Sequence, residues 1–330
     1  MDQPIKSAEA TTLPPIDGDV VVITGATASG KSGVALEVAE RIGGEIVSVD
    51  SIAVYRGMDI GTAKPTAADR CRVPHHLIDV ACPSESYSVA TYLTEAWQAI
   101  DDIRRRGRVP ILAGGTPMYL KGLLHGFDPG PPADWDFRRA VEADLELHGP
   151  ESLHRRLWQV DPLSAHRLNP SDTRRITRAL EVAYLTGKPL SHRQTQFDRF
   201  PQPDSGRRFV IHWPRPLLHQ RIADRVESMF AAGLIDEVRE LLRRHRQLSR
   251  TASIAVGYRE VIDLLAGRCD RQAAIDSVTA HSRQLARRQE TWLRSLAGLE
   301  TLEVADEEEL AKATETIVSR VASSPDRDGV

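Results

Sequence analysis

The chain has 330 residues, 41% of them apolar and 27% charged, with a formal net charge of −3. That balance excludes wholesale disorder and collagen-like sequence, and no run approaches the roughly 18 apolar residues of a membrane span. The length suits one large core with an insertion or a second lobe.

Residues 1–18 carry an acid at Asp2, no apolar h-region and a Pro14-Pro15 pair, and are expected to form a flexible leader, not a signal peptide. Val20–Ile23 is a β-branched run, as in a buried parallel strand. Gly25 to Ser32 follows as a turn. Ser32–Ile42 has a helical pattern and stops at Gly43-Gly44. Glu45–Val49 reads as a second strand ending at Asp50, Tyr87–Arg106 as a long helix, and Val109–Ala113 as a third strand before Gly114-Gly115-Thr116. This alternation predicts βαβ units and a parallel sheet. Asp128–Pro132, with three prolines and a glycine, marks a boundary. Asp134–Leu190 is helical in pattern and reads as an insertion. Arg207–His212 returns as a strand, Leu217–Arg246 and Glu260–Leu296 are helices, Glu300–Glu309 is acidic, and Ser323–Val330 reads as a frayed tail.

Cys71, Cys82 and Cys269 form no CxxC pair, which argues against a disulfide framework or a zinc site and for a reducing cytoplasm. His75 and His76 are adjacent, not four apart on a helix face, so packing or hydrogen bonding is expected of them in place of metal ligation.

Charge is unevenly placed. Glu151 to Ala297 holds 26 cations, all arginine except Lys188, against 16 acids, while the remainder is acidic. Arginine favours bidentate phosphate contact and stacking on bases. The two readings are solvated helix faces and a lobe that holds a polyanion.

Gly25-Ala26-Thr27-Ala28-Ser29-Gly30-Lys31-Ser32 matches G-x-x-x-x-G-K-[ST] between a predicted strand and a predicted helix. Such a loop wraps phosphate oxygens with backbone N–H groups, Lys31 reaching the phosphates and Ser32 holding Mg²⁺. It recognises a diphosphate, not a reaction. Asp50, at a strand end, has three readings: magnesium-linked carboxylate, general base, or turn cap. Thr116, after Gly114-Gly115 at another strand end, is expected on the same face.

Beyond these residues lies a resemblance. GATASGKS at 25–32 and VDSIAVYRGMDIGTAKP at 49–65 resemble blocks of the tRNA dimethylallyltransferases, also called tRNA isopentenyltransferases. PHHLIDV at 74–80, GGTPMYLKGLL at 114–124, NPSDTRRITRALEV at 169–182, VGYRE at 256–260 and SRQLARRQETWLR at 282–294 are similar to further blocks, in the same order. Ala26, Ile52-Ala53 and Ser282 depart from the usual pattern without removing a reactive group. No Cys₂His₂ finger follows, so the bacterial type is expected.

The resemblance implies an α/β fold: a P-loop NTPase-like core with a parallel sheet at 19–127 and 198–300, a helical insertion gripping tRNA at 128–197, and an acidic, partly disordered tail at 301–330. It implies transfer of a dimethylallyl group from dimethylallyl diphosphate to N6 of adenosine 37, beside the tRNA anticodon, with loss of pyrophosphate. Mg²⁺ is the implied cofactor, the anticodon stem-loop the implied partner, and a monomer without membrane association is expected. Asp50, Lys31 and Thr116 are the implied catalytic residues. The loop with Arg221 and Arg225 would bind diphosphate, although these two arginines equally suit a solvated stripe. The implied tRNA contacts are Asp50, Ser51, Ile52, Ala53, Thr116, Arg174, Arg175, Ile176, Thr177, Arg178, Gly257, Tyr258, Arg259, Arg287, Arg288, Gln289, Thr291, Trp292 and Arg294. Arg283 and Arg287 share a helix face. Leu285 and Trp292, seven apart, are expected to face the core, with base stacking as the alternative for Trp292. The rival readings are an adenylate isopentenyltransferase using free nucleotide, a P-loop small-molecule kinase, and an RNA-binding protein with a relic loop. The basic insertion argues against the first, and intact Lys31, Ser32 and Asp50 against the last.

Overall fold

A computed structural model of the chain describes residues 12–16, 18, 20–193 and 206–323. It divides into two compact units.

The larger unit, Ile16–Leu124 with the described residues of Pro201–Val330, is a six-stranded sheet in the order β3-β2-β4-β1-β5-β6, every pair parallel. The strands are β1 (Val21–Gly25), β2 (Gly44–Val49), β3 (His75–His76), β4 (Val109–Gly114), β5 (Arg208–His212) and β6 (Glu300–Glu303). Its early helices are α1 (Lys31–Ile42), α2 (Ala67–Arg72), α3 (Val89–Arg105) and α4 (Pro117–His125). Every residue of β1 and β2 is buried, because helices cover both faces of the sheet, and that is why the apolar residues of these strands do not alternate with exposed polar ones. β3 is a two-residue edge, where His76 Nε2 meets Glu45 Oε2 at 2.7 Å and His75 Nδ1 meets the Val73 carbonyl at 2.8 Å.

The smaller unit joins the described residues of Met1–Pro15 to those of His125–Phe200. Leu13 and Phe127 exchange two backbone hydrogen bonds at 2.9 Å, so this part of the expected leader is anchored. Its helices are α5 (Trp135–Val160), α6 (Pro162–Arg167), α7 (Thr173–Thr186) and α8 (Leu190–Arg193). α5 is broken at Gly149, whose φ of 72° and following Pro150 interrupt the helical ladder. Leu153, Leu157, Ile176 and Ala179 form its core. The fully buried Glu181 accepts two bonds from Arg138, one from Arg178 and one from the Asp134 N–H. A buried carboxylate needs such partners.

In the larger unit, the predicted helix at 217–246 is two helices, α9 (Arg215–Ala231) and α10 (Leu234–Arg244), parted at Gly233 with φ 100°. After the short α11 (Arg250–Ser253), the helix predicted at 260–296 divides into α12 (Tyr258–Leu265) and α13 (Arg271–Leu293), where Gly267 turns left-handed and Asp270 caps α13. The tail differs most from expectation. Residues 300–303 pair with β5, and α14 (Glu307–Ala322) packs on α1, burying Ala313, Thr314, Ile317 and Val321. Glu307, Glu308 and Glu309 lie in its first turn, where they favour the positive end of the helix. The end of the expected frayed tail, 324–330, lies outside the described residues.

Candidate active site

The loop Gly25–Ser32 joins β1 to α1, and Gly30, at φ 83°, is the residue from which α1 starts. The loop is held from behind. Trp213 Nε1 donates to the Ser29 carbonyl at 2.9 Å and Arg221 Nε to the Ala28 carbonyl at 2.9 Å. A trans peptide sets the next N–H opposite its carbonyl, so the Gly30 N–H is directed away from Trp213. The first N–H groups of α1 have no partner within the helix, which makes this end suited to an anion. Arg221 also lies over the Trp213 ring, at 4.1 Å, and pairs with Glu307 of α14.

A cavity of about 370 Å³ opens over this loop, lined by Lys31, Ser32, Arg221, Asp224 and Arg225 among others. Its size suits a small phosphorylated ligand. Burial, then the neighbouring Arg225 guanidinium, push the Lys31 ammonium down to about 8, while Asp50 acts in the opposite sense. Burial likewise lowers Arg225, again opposed by Asp50. Two cations drawn from water toward one carboxylate make a site that gains by accepting an anion. Arg221 and Arg225 are therefore cavity residues and not a solvated stripe.

Asp50 follows β2 and Thr116 follows β4, both at the carboxyl end of the sheet with the phosphate loop. The Val49–Gly114 register brings them together. Ser51 N–H donates to Thr116 Oγ1 at 3.1 Å, and Thr116 N–H to the Val49 carbonyl at 3.1 Å. A Cβ on Gly114 would stand 2.2 Å from the Val49 carbonyl oxygen, so only glycine allows this approach. Asp50 Oδ1 accepts the N–H groups of Ile52 at 2.8 Å and Ala53 at 3.1 Å, the geometry of a turn cap. Its Oδ2 has no hydrogen-bond partner among the described residues. The cap and base readings thus fall on different oxygens of one carboxylate.

Sequence comparison places this geometry among known proteins. A family model described as IPP transferase matches residues 53–296, and one described as isopentenyl transferase matches residues 18–73. The chain belongs to the IPP transferase family. A relative from Rhodopirellula baltica, named tRNA dimethylallyltransferase, is 50% identical over 323 residues, covering 94% of this chain and 97% of that protein. The crystal structure of the full-length tRNA isopentenylpyrophosphate transferase from Bacillus halodurans is 37% identical, with a TM-score of 0.66, covering 93% of this chain and 98% of that one. A eukaryotic dimethylallyltransferase described as acting on tRNA is 28% identical, with a TM-score of 0.72, over 88% of this chain and 75% of that one.

The positions expected to meet tRNA in this IPP transferase separate by burial. In the smaller unit Arg174 and Arg175 are exposed, and Arg175 pairs with Asp172. Thr177 is half-buried. Ile176 is a core residue, and Arg178 is committed to Glu181 and to the Pro129 and Pro131 carbonyls. In the larger unit Arg283, Arg287, Arg288, Thr291 and Arg294 are exposed. Trp292, expected in the core, is also exposed, with the Lys121 ammonium 5.4 Å over its ring, whereas Leu285 is half-buried. Arg259 is tied to Glu260 and His281.

Four expected contacts of the larger unit are interior. Ala53, Gly257, Tyr258 and Gln289 are all buried. Tyr258 donates to Glu237 Oε1 at 2.7 Å, and Gln289 is held between two loops. Motif matching does not distinguish a residue that touches ligand from one that braces its neighbour, and in this structure these four side chains or backbone positions are packed inside the unit.

The sequence reading also missed Glu237. Its carboxylate accepts the N–H groups of Asp59 at 2.9 Å, Ile60 at 2.7 Å and Gly61 at 3.3 Å. That fixes the segment whose Thr62 carbonyl takes Arg225 Nη2 at 3.3 Å. Nothing local in the amphipathic α10 marks Glu237 as different from its exposed neighbours.

Ser32 and Asp224 line the cavity with Lys31 and offer oxygen donors suited to a divalent cation. No cluster of three or more His, Cys, Asp or Glu side chains capable of holding a metal occurs among the described residues. This sparse hard-oxygen set fits Mg²⁺, which keeps waters and takes ligands from substrate phosphates. No helix among the described residues is long and apolar enough to cross a membrane.

Proposed function

We propose that this chain transfers the dimethylallyl group of dimethylallyl diphosphate to N6 of adenosine 37 in tRNA, releasing pyrophosphate. The observation that carries the reading is the opposition, at the carboxyl end of the sheet, of a cationic diphosphate cradle and the free oxygen of Asp50. The new bond joins N6 to the allylic carbon, and the bond that breaks joins that carbon to the diphosphate oxygen. The N6 lone pair is delocalised into the ring, so the amine must lose its proton as it attacks. Asp50 Oδ2 accepts that proton, while Oδ1 stays on the turn. Lys31, Arg225 and the loop N–H groups hold the departing diphosphate in preformed positive surroundings. Mg²⁺, held by Ser32 with Asp224 nearby, supplies further charge neutralisation when bound. Thr116 braces the Asp50 turn through the Ser51 N–H. The exposed arginines of α13 and α7 are the groups available to RNA phosphates, and the adenine reaches the site by extrusion from its loop. The cytoplasm and a monomeric state belong to the same reading.

The test is to supply the purified protein with radiolabelled dimethylallyl diphosphate or γ-labelled ATP, together with tRNA, AMP or small-molecule acceptors. Label from the diphosphate appearing in tRNA, with prenylated adenosine in its nucleoside digest, is the expected result. Label entering AMP alone indicates the free-nucleotide enzyme, and phosphate transfer indicates a kinase.

A further inference from the structure

We propose that Gln289 is a positioning residue that ties the phosphate loop to the turn after β4, setting the distance between the donor and acceptor sides of the site. The role rests on the function proposed above. Gln289 sits in the last turns of α13 between exposed Arg288 and half-buried Glu290, but it points inward and is only 8% exposed. Its Oε1 accepts the Thr27 N–H at 2.8 Å, and its Nε2 donates to the Gly115 carbonyl at 2.7 Å. An amide N–H can only donate and a carbonyl only accept, so these two partners fix which way the side chain faces. Thr27 lies within the phosphate loop. Gly115 precedes Thr116, whose hydroxyl holds Ser51 beside Asp50. A single planar amide therefore spans from the diphosphate cradle to the turn that carries the proton acceptor.

Two details support a built link. A Cβ on Gly115 would lie 2.6 Å from Gln289 Nε2, so glycine is needed for the amide to reach the carbonyl. The bond to Gln289 also withdraws the Thr27 N–H from the set that can face phosphate. Displacing either loop leaves a buried donor or acceptor unpaired, which opposes independent movement of the two. Small errors in the alignment of reacting atoms are costly to rate even where both substrates still bind.

The experiment compares the full-length chain with Gln289→Ala, Gln289→Met and Gln289→Glu. It measures the transfer rate with both substrates saturating, the KM for dimethylallyl diphosphate, the Kd for an anticodon stem-loop, and amide exchange at Thr27. The alanine and methionine variants are expected to lose about 10- to 100-fold in saturated rate, with KM and Kd changing less than about threefold. Thr27 exchange should accelerate in both. Gln289→Glu keeps an acceptor for Thr27, so it should retain slow exchange while losing rate, because two oxygens then meet at Gly115. A stem-loop Kd weakened about tenfold or more with a normal saturated rate would overturn the proposal and make Gln289 an RNA contact. Unchanged Thr27 exchange in the alanine variant would overturn it too, whatever the chain catalyses. A wild-type protein that moves no dimethylallyl group to tRNA would count against the proposed function instead, and the exchange data would still decide whether the link exists.

Discussion

Asp50 shows how one side chain serves structure and chemistry together. Because Oδ1 caps its own turn, an alanine there would remove both roles. Asn keeps a carbonyl oxygen for the Ile52 and Ala53 N–H groups and removes only basicity. Asp50→Asn should therefore melt with the parent, bind stem-loop normally and slow single-turnover transfer by about 10²–10⁴. Turnover within a few-fold of the parent would reduce Asp50 to its capping role. Lys31 makes a pH-dependent prediction. Held near 8 in the free protein by burial and Arg225, it is mostly charged at neutral pH. A bound diphosphate favours the cation and raises it again. Donor affinity should then be flat below pH 8 and weaken above it by up to about tenfold per unit, with one proton taken up on binding. The same depression costs folding stability below pH 8, and that cost fades as pH climbs from 8 toward the ordinary 10.5. A donor KM unchanged between neutral and strongly basic pH would mean that Lys31 does not face the diphosphate.

At the scale of elements, the phosphate loop depends on parts distant in sequence. α14 packs on α1, and a Cβ on Gly30 would come within 2.7 Å of its Leu310. Trp213 and Arg221 hold the loop carbonyls, and Glu307 of α14 pairs with Arg221. The fully buried Ile317 anchors this helix, so Ile317→Ala should cost about 2–5 kcal/mol in denaturant unfolding. It should also raise the donor KM more than it changes stem-loop Kd, since the helix braces the loop. A stability loss below 1 kcal/mol would show that α14 is not part of the cooperative core.

At the scale of the molecule, the basic stretch 151–297 falls in both units, and burial has sorted its arginines. Arg178 and Arg259 are spent on buried carboxylates. Arg287 and Arg288 are exposed and make no ion pair among the described residues. Stem-loop binding should weaken steeply with salt, at about −0.7 in log–log slope per neutralised phosphate of a single strand. The Arg287→Ala, Arg288→Ala double variant should make the slope shallower by roughly one to two units. Circular dichroism melts are the control, because arginine stems also pack. An unchanged slope with an unchanged melt would remove this part of α13 from the RNA-binding face.

The amino-acid sequence by itself determined the alternating strands and helices, the phosphate loop, the strand-end position of Asp50, the helical insertion and the family. Each of these is written in contiguous residues, as apolar periodicity, turn chemistry or a motif of fixed spacing. Only the tertiary structure decided that residues 300–322 close the sheet edge and cover α1, since a short four-residue strand and an acidic helix give little local signal. It alone separated Arg287 from Gln289 and Arg174 from Ile176. Neighbours within one motif differ in role by the direction they point, and that direction is fixed by what packs against the helix. The brace from Thr27 through Gln289 to Gly115 joins positions 262 and 174 residues apart. A hydrogen bond of that kind exists only once the sheet has brought two loop ends within reach of one amide.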